Sequence, residues 1–426
     1  MDFNYLKKKY MTKIIAVIGA GYGDEGKGVI TDYFAHRHDN AIVVRFNGGA
    51  QAGHTVLTPC GKRHVFSHIG CGSFSNTDTM LSAHFICNPL IFKGEMCEFM
   101  LKHGDAPRVY VHPSCLVTTP IDIIINQILE IRRDQDRHGS VGLGINETIE
   151  RSLIADFKLT VEDLRQGTEH LDQKIQHIRD NWLNLRLTPD DDATAAELKL
   201  LDALNSDLLW FDYRNAVYYF LYHTIILDDY YFDNYDTIIF EGAQGLQLDQ
   251  TYGVFPHVTR SNTGVKNIID ILEHVNNIES IDIHYITRAY VTRHGHGPLF
   301  GEQELPYNIV DETNVPHEFQ GSIRYAPLSF NILYDAIFTD FDHIKSAKDH
   351  ISSKAKAKIV VTCMDQIQET GLCFDYMNND TPSHIVTKRW GAEYRDILLD
   401  HAHFVSYGPT RNDVIELVDP VIQIVD

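Results

Sequence analysis

Positive charge is scarce in this chain of 426 residues: Lys and Arg total 37 against 58 Asp and Glu, a net charge of −21. A surface that acidic repels polyphosphate backbones and anionic lipids, which excludes a general nucleic-acid or membrane-surface binder. A small phosphate ligand stays open, because it needs only a local pocket. Long hydrophobic runs are also missing, and no stretch approaches the about 18 apolar residues a membrane helix needs. After Lys7, Lys8 and Lys9 there is no apolar stretch of the signal-sequence kind. Cysteine is sparse in pattern as well as number: seven residues, Cys60 to Cys373, widely scattered and without a C-x-x-C pair. That disfavours both a disulfide framework and structural zinc, and the expectation is a reducing cytoplasm. With 44% hydrophobic and 22% charged residues, disorder and fibrous repeats are excluded too.

What is present is the pattern of an α/β protein. Ile14 to Ile18 is a β-branched run leading into a glycine-rich turn and then a helix beginning near Gly28. Ala41 to Phe46 leads into a second glycine turn, residues 48–53. Further strand-like runs are Val109–Val111, Thr237 to Phe240, Ile283 to Thr287 and Lys358 to Thr362. Helical periodicity appears between them, at Ile121 to Ile131 and Val265 to Leu272. Continuous apolar strands alternating with helices predict a large, mainly parallel sheet covered on both faces. Residues Glu169 to Tyr231, with the acidic turn Pro189 to Asp192, read as a helical insertion within one domain spanning 1–426.

The strongest local motif is the turn Gly21 to Gly28, a G-x-x-x-x-G-K sequence directly after a strand. Backbone N–H groups of such a loop cradle phosphate at a helix N-terminus, and Lys27 adds charge. The hydroxyl residue that usually follows the lysine is replaced by Gly28, so magnesium would need another ligand, with Asp24 the candidate. His54 follows the second turn. By itself it reads equally as a core histidine or as a donor to a phosphate oxygen, although two glycine turns at neighbouring parallel strand ends would share one crevice. Glu241 to Gly245 lies at another strand end, where Gln244 could bond a base or an oxyanion. Thr259 to Thr263 has the hydroxyl, amide and cation content of a phosphate cup, and equally of an ordinary polar loop. Asp365, after the strand Ile359 to Val361, either caps a helix or accepts from the N1–H and amine of guanine.

Taken together, in this order, the motifs resemble the adenylosuccinate synthetase family, in a divergent form. The segments are Gly23 to Gly28, Ala52 to Thr55, Glu241 to Gly245, Val258 to Thr263 and Ala289 to Pro298 followed by Glu302, with Gly408-Pro409 near the end. The resemblance implies a GTP-dependent ligase that phosphorylates O6 of a 6-oxopurine nucleotide, normally IMP, and lets the amino group of aspartate displace the phosphate. It implies a cytoplasmic homodimer using magnesium. Asp24 would take the N1 proton, and His54 would stabilise the phosphoryl oxygens. Lys27 would spread charge, and Gln244 would hold the 6-phosphoryl group. Gly23, Glu25, Gly26, Gly28, Thr55, Asp365, Gly408 and Pro409 would bind GTP. Gln51, Ser140, Thr259 and Arg151, the last reaching into a neighbouring subunit, would bind IMP. Asp24 and the Gly53 carbonyl would hold the metal, and Arg324 would bind the amino acid.

The chain departs from the family where substrates are selected. A phosphate-binding threonine is Val141, an arginine of the same loop is Leu143, an asparagine is Gln51, and the lysine of the guanine loop is Cys363. In the aspartate loop, Gln320 to Pro327 keeps only Arg324 of three arginines. Arginine forks suit carboxylate capture, so the identities of acceptor and amine are less well marked than the phosphoryl transfer itself. A guanylate or deoxyguanylate acceptor, another amine, or a non-catalytic nucleotide sensor are the alternatives.

Overall fold

The computed structural model describes residues 11–134, 137–187, 193–227, 232, 234–305, 309, 321–367, 373–376, 385–388 and 392–417. A ten-stranded sheet runs through them. Its strands are β1 (Thr12–Gly19), β2 (Ala41–Arg45), β3 (Asp78–Leu81), β4 (Val109–Val111), β5 (Thr224–Ile226), β6 (Thr237–Gly245), β7 (Ile278–Arg288), β8 (Ala355–Thr362), β9 (Phe404–Ser406) and β10 (Val414–Glu416). They lie side by side as β10-β9-β8-β7-β1-β6-β2-β3-β4-β5, all parallel except the final β9–β10 pair.

The central strand shows why the sheet is buried on both faces. Ile14, Ala16 and Ile18 of β1 enter one apolar core, and Ile15 and Val17 enter another on the opposite face. A strand whose run from Ile14 to Ile18 is apolar throughout can serve two cores at once, which is what βαβ crossovers require. A third core lies beyond β4 and gathers Phe92, Phe99, Ile121, Ile125, Tyr213 and Phe220. The helices that matter for function are α1 (Lys27–Arg37), α2 (Pro89–His103), α3 (Pro120–Arg133) and α4 (Ile145–Ser152). Thr119 and Asp122 form a reciprocal capping box that starts α3, with Pro120 in its first turn.

The predicted strands and the helices at 27–37, 120–133 and 266–272 are all present. Four strands of this sheet went unread: β3, β5, β9 and β10. Each is three or four residues long and mixes polar with apolar side chains, too short for its period to stand out. The stretch from Thr168 to His223 is a series of helices joined by short turns where it is described, while Pro189 to Asp192 lie outside the described residues. It ends in β5, which pairs in parallel with β4 and so extends the main sheet. Among the described residues, no helix is long and apolar enough to cross a membrane.

Candidate active site

Parallel strands deliver their C-terminal ends to one edge of the sheet, and a ligand crevice forms there. The loops after β1, β2, β6, β7, β8 and β9 line a single cleft of about 1570 Å³ along that edge. Pockets for one small molecule run to roughly 300–1,000 Å³, so this cleft has room for two nucleotides.

The loop after β1 is wound tightly. Gly23, Asp24 and Gly26 all have positive φ, at 100°, 62° and 90°. Asp24 is a non-glycine in the left-handed region, and such strain concentrates at functional sites. Gly26 caps α1 without a side-chain hydrogen bond, so the first amides of the helix keep no side-chain cap. The loop is braced from beneath. The Glu25 carboxylate accepts from the amides of Gly21 (3.1 Å) and Gly23 (2.7 Å) and from Lys27 Nζ (2.5 Å). Thr362 at the end of β8 donates its hydroxyl to the Glu25 carbonyl at 2.7 Å. The Glu25 side chain is thus 3% exposed, does not line the cleft and shapes the loop, which leaves the backbone of residue 25 as its part in the expected phosphate cradle.

Asp24 lines the cleft. Burial pushes its carboxyl up, against the opposing charges of Arg288 and Lys27. A carboxylate raised toward neutrality is the stronger proton acceptor. Arg288 also fixes the loop, since its Nε donates to the Asp24 carbonyl at 2.5 Å.

His54 opens a short hairpin, His54–Leu57 with Arg63–Phe66, and faces the same cleft. Its Nδ1 lies 2.5 Å from Glu241 Oε1 on β6, and Glu241 Oε2 accepts from the Cys71 amide at 2.9 Å. Burial would raise the Glu241 carboxyl, but the Arg45 charge and the bond from His54 outweigh it, and the pKa falls to about 2. An ionised carboxylate only accepts, so Nδ1 carries the proton and Nε2 is left for chemistry. Burial pushes the imidazole down, against the pull of Glu241. The ring is thus neutral at rest, and on gaining a proton it becomes an imidazolium facing a carboxylate. His54, Cys71 and Glu241 lie close enough to suggest a metal site. Burial drives the Cys71 thiol well up, and the three residues here form a hydrogen-bonded cluster in which Glu241 meets the His54 ring and accepts from the Cys71 amide.

Asn47 joins two of the loops by exchanging bonds with the Ala243 carbonyl (3.0 Å) and amide (2.8 Å). Next to it Gln244 sits at φ 58°, its side-chain Oε1 buried without a partner among the described residues. Gln51, Gly53 and Thr55 also line the cleft, as do Ser140, Thr259 and Leu143 at another wall. Ser140 is committed to its own loop, donating to Asn126 at 2.9 Å and accepting from the Gly142 amide at 3.1 Å. Asp365, Gly408 and Pro409 line the far end, where burial raises the Asp365 carboxyl.

Gly28 explains the missing hydroxyl. A Cβ there would stand 2.9 Å from the Thr55 carbonyl oxygen and 3.3 Å from His54 Cβ. Helix α1 lies so close to the His54 hairpin that serine has no space. Asp24 and the backbone of Gly53 instead offer hard oxygen donors on the cleft, the chemistry magnesium takes alongside phosphates.

Two expected ligands are placed elsewhere. Arg151 is fully buried. Its Nε and Nη2 bind the Asp122 carboxylate at 2.8 and 3.0 Å, Nη2 also donates to the Val117 carbonyl at 2.9 Å, and Nη1 bonds the Phe157 carbonyl. It ties α4 to the capping box of α3 and cannot extend into a neighbouring subunit. Arg324 does not line the cleft either. It donates to the Gly295 and Gly297 carbonyls and to Glu302 at 2.6 Å, buttressing the 295–297 turn. The stretch 317–320 that precedes this loop lies outside the described residues.

Several lining residues escaped the reading of the sequence: Arg288, Arg293, His138, His257 and His294. Arg288 had a signal, a cation at the end of a buried parallel strand. Glu241 had one too, as the acid opening a glycine turn. The histidines had none, since they come from separate loops.

The family model for adenylosuccinate synthetase matches residues 16–322. The adenylosuccinate synthetase of Acinetobacter baylyi is 30% identical over 73% of this chain and 71% of its own length. That of Dichelobacter nodosus is 33% identical over 69% of this chain and 66% of its own length. In structure, the fully ligated Plasmodium falciparum adenylosuccinate synthetase is similar with a TM-score of 0.67 at 19% identity, covering 95% of this chain and 99% of that one. The succinoaminodeoxyadenylate synthetase of cyanophage S-2L, solved with dGMP and with dATP as energy donor, is similar at 0.56 and 14% identity over 95% of each chain. With its family match, its sheet and its ordered strand-end loops, the chain belongs to the adenylosuccinate synthetase family of GTP-dependent C–N ligases.

Proposed function

We propose that the chain uses GTP to activate O6 of IMP and joins aspartate to C6, releasing GDP and phosphate. The observation that carries this reading is the convergence of Asp24, Lys27, His54 and Gln244 on one cleft. Asp24, raised by burial, takes the proton from N1, so negative charge builds on O6 as it attacks the terminal phosphoryl group. The amides at the start of α1 and the Lys27 ammonium meet the charge that develops on the phosphates. His54 donates from Nε2 to a phosphoryl oxygen once it has gained a proton, and Glu241 stabilises that imidazolium. Gln244 holds the 6-phosphoryl group while the amine attacks. Magnesium, bound by Asp24 and the Gly53 carbonyl, would neutralise phosphate charge.

Asp365, with Gly408 and Pro409, would read guanine at the far end. Thr259 and Gln51, with Ser140, would meet the acceptor nucleotide. A homodimer in the cytoplasm is the setting implied by the family.

A second reading keeps the chemistry and changes the partners: GMP or dGMP as acceptor, or an amine other than aspartate. Arg324 favours it, because its guanidinium is spent on Glu302 and two carbonyls. The test is to incubate the protein with GTP and Mg²⁺, vary the 6-oxopurine nucleotide and the amino acid, and follow phosphate release and product mass. Release that requires IMP with aspartate supports the first reading. Release with another pair supports the second, and nucleotide binding without turnover means a sensor.

A further inference from the structure

Of the five residues from Thr259 to Thr263, whose composition suits a phosphate cup, only the first two line the cleft. The other three are spent on bracing the loop. The Ser261 hydroxyl accepts from the Gly48 amide at 3.2 Å, and Asn262 bonds Gln250 and Asn267 at 2.9 and 3.1 Å. The Thr263 amide and hydroxyl donate to the buried Asp249 carboxylate at 2.6 and 3.2 Å. The Thr259 amide is fixed too, donating to the Leu248 carbonyl at 2.8 Å. A braced loop therefore presents Thr259 and Arg260 to the part of the cleft that α4 walls.

Arg260 is tethered at one corner. Its Nη1 bonds Glu150 Oε1 on α4, while Nε and Nη2 have no partner among the described residues. The two side chains are 36% and 32% exposed, so the pair is screened by solvent and holds the fold only weakly. The edge left over, Nε with Nη2, is one that makes two parallel bonds to a phosphate. Neighbouring cations are committed elsewhere. Arg293 donates from all three nitrogens to the carbonyls of His296, Pro298 and His257, and Arg133 pairs with Glu130. Glu147, the remaining acid on this wall, is held by Arg186 at 2.6 and 3.1 Å. An incoming dianion thus meets Arg260 where each carboxylate already has its own arginine.

We propose that Arg260 binds the phosphate of a nucleoside monophosphate acceptor through its Nε–Nη2 edge, beside the Thr259 hydroxyl, while Glu150 holds the guanidinium by Nη1. Arg260 then selects a phosphorylated acceptor over a free nucleoside. Glu150 touches no substrate in this scheme and is a positioning residue. The inference rests on the proposed function for the place of the acceptor, and goes beyond it in naming the cation that reads the acceptor's charge.

Calorimetry with IMP and GMP, against inosine and guanosine, tests this on the native, Arg260→Met, Arg260→Lys and Glu150→Gln proteins. Arg260→Met is expected to weaken the better-bound monophosphate on the order of tenfold or more, toward the affinity of its nucleoside, and to leave nucleoside affinity unchanged. Lysine should recover part of the loss. Glu150→Gln should stay within a few-fold, because its amide oxygen still accepts from Nη1. In turnover, KM for the acceptor should rise while kcat and KM for GTP hold. The proposal is overturned if the native protein binds neither monophosphate more tightly than its nucleoside, or if Arg260→Met keeps native affinity. Equal damage from Glu150→Gln and Arg260→Met also overturns it, since the pair is then only a staple between α4 and the loop. Turnover with an unaffected acceptor KM removes Arg260 and leaves the ligase reading standing. Arg260-dependent binding of a monophosphate, with no turnover for any substrate pair, removes the ligase reading and leaves Arg260 its role.

Discussion

Replacing Gly28 by alanine isolates the contact that sets the cleft apart from other phosphate-binding loops. In an open helix the change would help, since alanine is favoured over glycine by roughly 1 kcal/mol. Here the new Cβ would stand 2.9 Å from the Thr55 carbonyl oxygen, 3.3 Å from His54 Cβ and 3.4 Å from Cys71 Sγ. The closest of these is backbone, which cannot rotate aside, so α1 or the hairpin must move. Inserting a methyl into packed structure costs roughly 1–3 kcal/mol, leaving a net loss of up to about 2 kcal/mol after the helical gain. The hairpin that moves is the one that starts with His54, and a shift near 1 Å at a reacting group lowers rates by up to about a hundredfold. Denaturant titration reads the first effect, and kcat for GTP-dependent phosphate release reads the second. The expected result is a lower midpoint with unchanged slope, together with a kcat loss of at least about tenfold. An alanine variant that is more stable and fully active would show that the close approach of α1 and the hairpin is not what excludes a side chain at 28. Gly28→Ser must fail in the same way, and improved Mg²⁺ affinity in that variant would refute the assignment of metal ligation to Asp24.

Other perturbations separate chemistry from architecture. Asp24→Asn is expected to cut turnover by at least on the order of a hundredfold while nucleotide affinity, read by calorimetry, stays within a few-fold; unchanged turnover removes Asp24 from the base role. Arg151→Met leaves the buried Asp122 carboxylate without its partner and should destabilise the fold by about 3–5 kcal/mol, measured by denaturation. A variant of native stability whose IMP affinity alone falls would restore Arg151 to the nucleotide site. Asp340 is buried, accepts from the Val265 amide and Tyr285 hydroxyl, and is raised by burial to about 7. Between about pH 4 and 7 the unfolded chain gives up this proton while the folded chain keeps it. Stability contributed by Asp340 therefore falls as pH rises, by at most on the order of 4 kcal/mol. Asp340→Asn should flatten that slope in unfolding curves taken from pH 5 to 8, and an unaltered slope would place the titration elsewhere.

The half of the cleft proposed to be catalytic was legible because its residues sit at the ends of buried strands. A run such as Ile14 to Ile18 predicts a strand, the strand predicts where its loop opens, and the loop composition predicts phosphate. Asp24, Lys27, His54, Gln244 and Asp365 all follow that logic, and all line the cleft. Arg151 failed because it lies on a helix, where sequence spacing does not say which side is covered. Its partner Asp122 is 29 positions away, and only packing shows that the guanidinium is enclosed. The role of the Glu25 side chain was hidden for a related reason, since only the fold shows that its carboxylate accepts from the Gly21 and Gly23 amides and braces the loop. His138 and His257 were invisible because lone histidines on separate loops carry no period and no motif, and His294 fills an unassigned position of the Ala289 to Pro298 run.

The two halves of the cleft are built differently, and this bears on what the protein selects. The groups proposed for phosphoryl transfer are fixed by the sheet: Asn47 locks the loops after β2 and β6, Thr362 locks the loop after β1, and Glu241 locks His54. Moving any one of them moves a strand end. The selecting groups hang on loops that satisfy themselves. Ser140 bonds within its own turn and to Asn126, and Arg324 bonds the 295–297 turn and Glu302. Such loops can exchange residues without disturbing the core, so substitutions like Val141, Leu143 and Cys363 leave the groups held by the sheet in place. On the proposed reading, divergence in this chain falls on the groups that would select acceptor and amine. Arg324→Ala is the sharpest probe of the amine. If aspartate is the amine, its KM should rise on the order of tenfold while KM for GTP stays fixed. If Arg324 only buttresses the turn, KM values for all three substrates should move together.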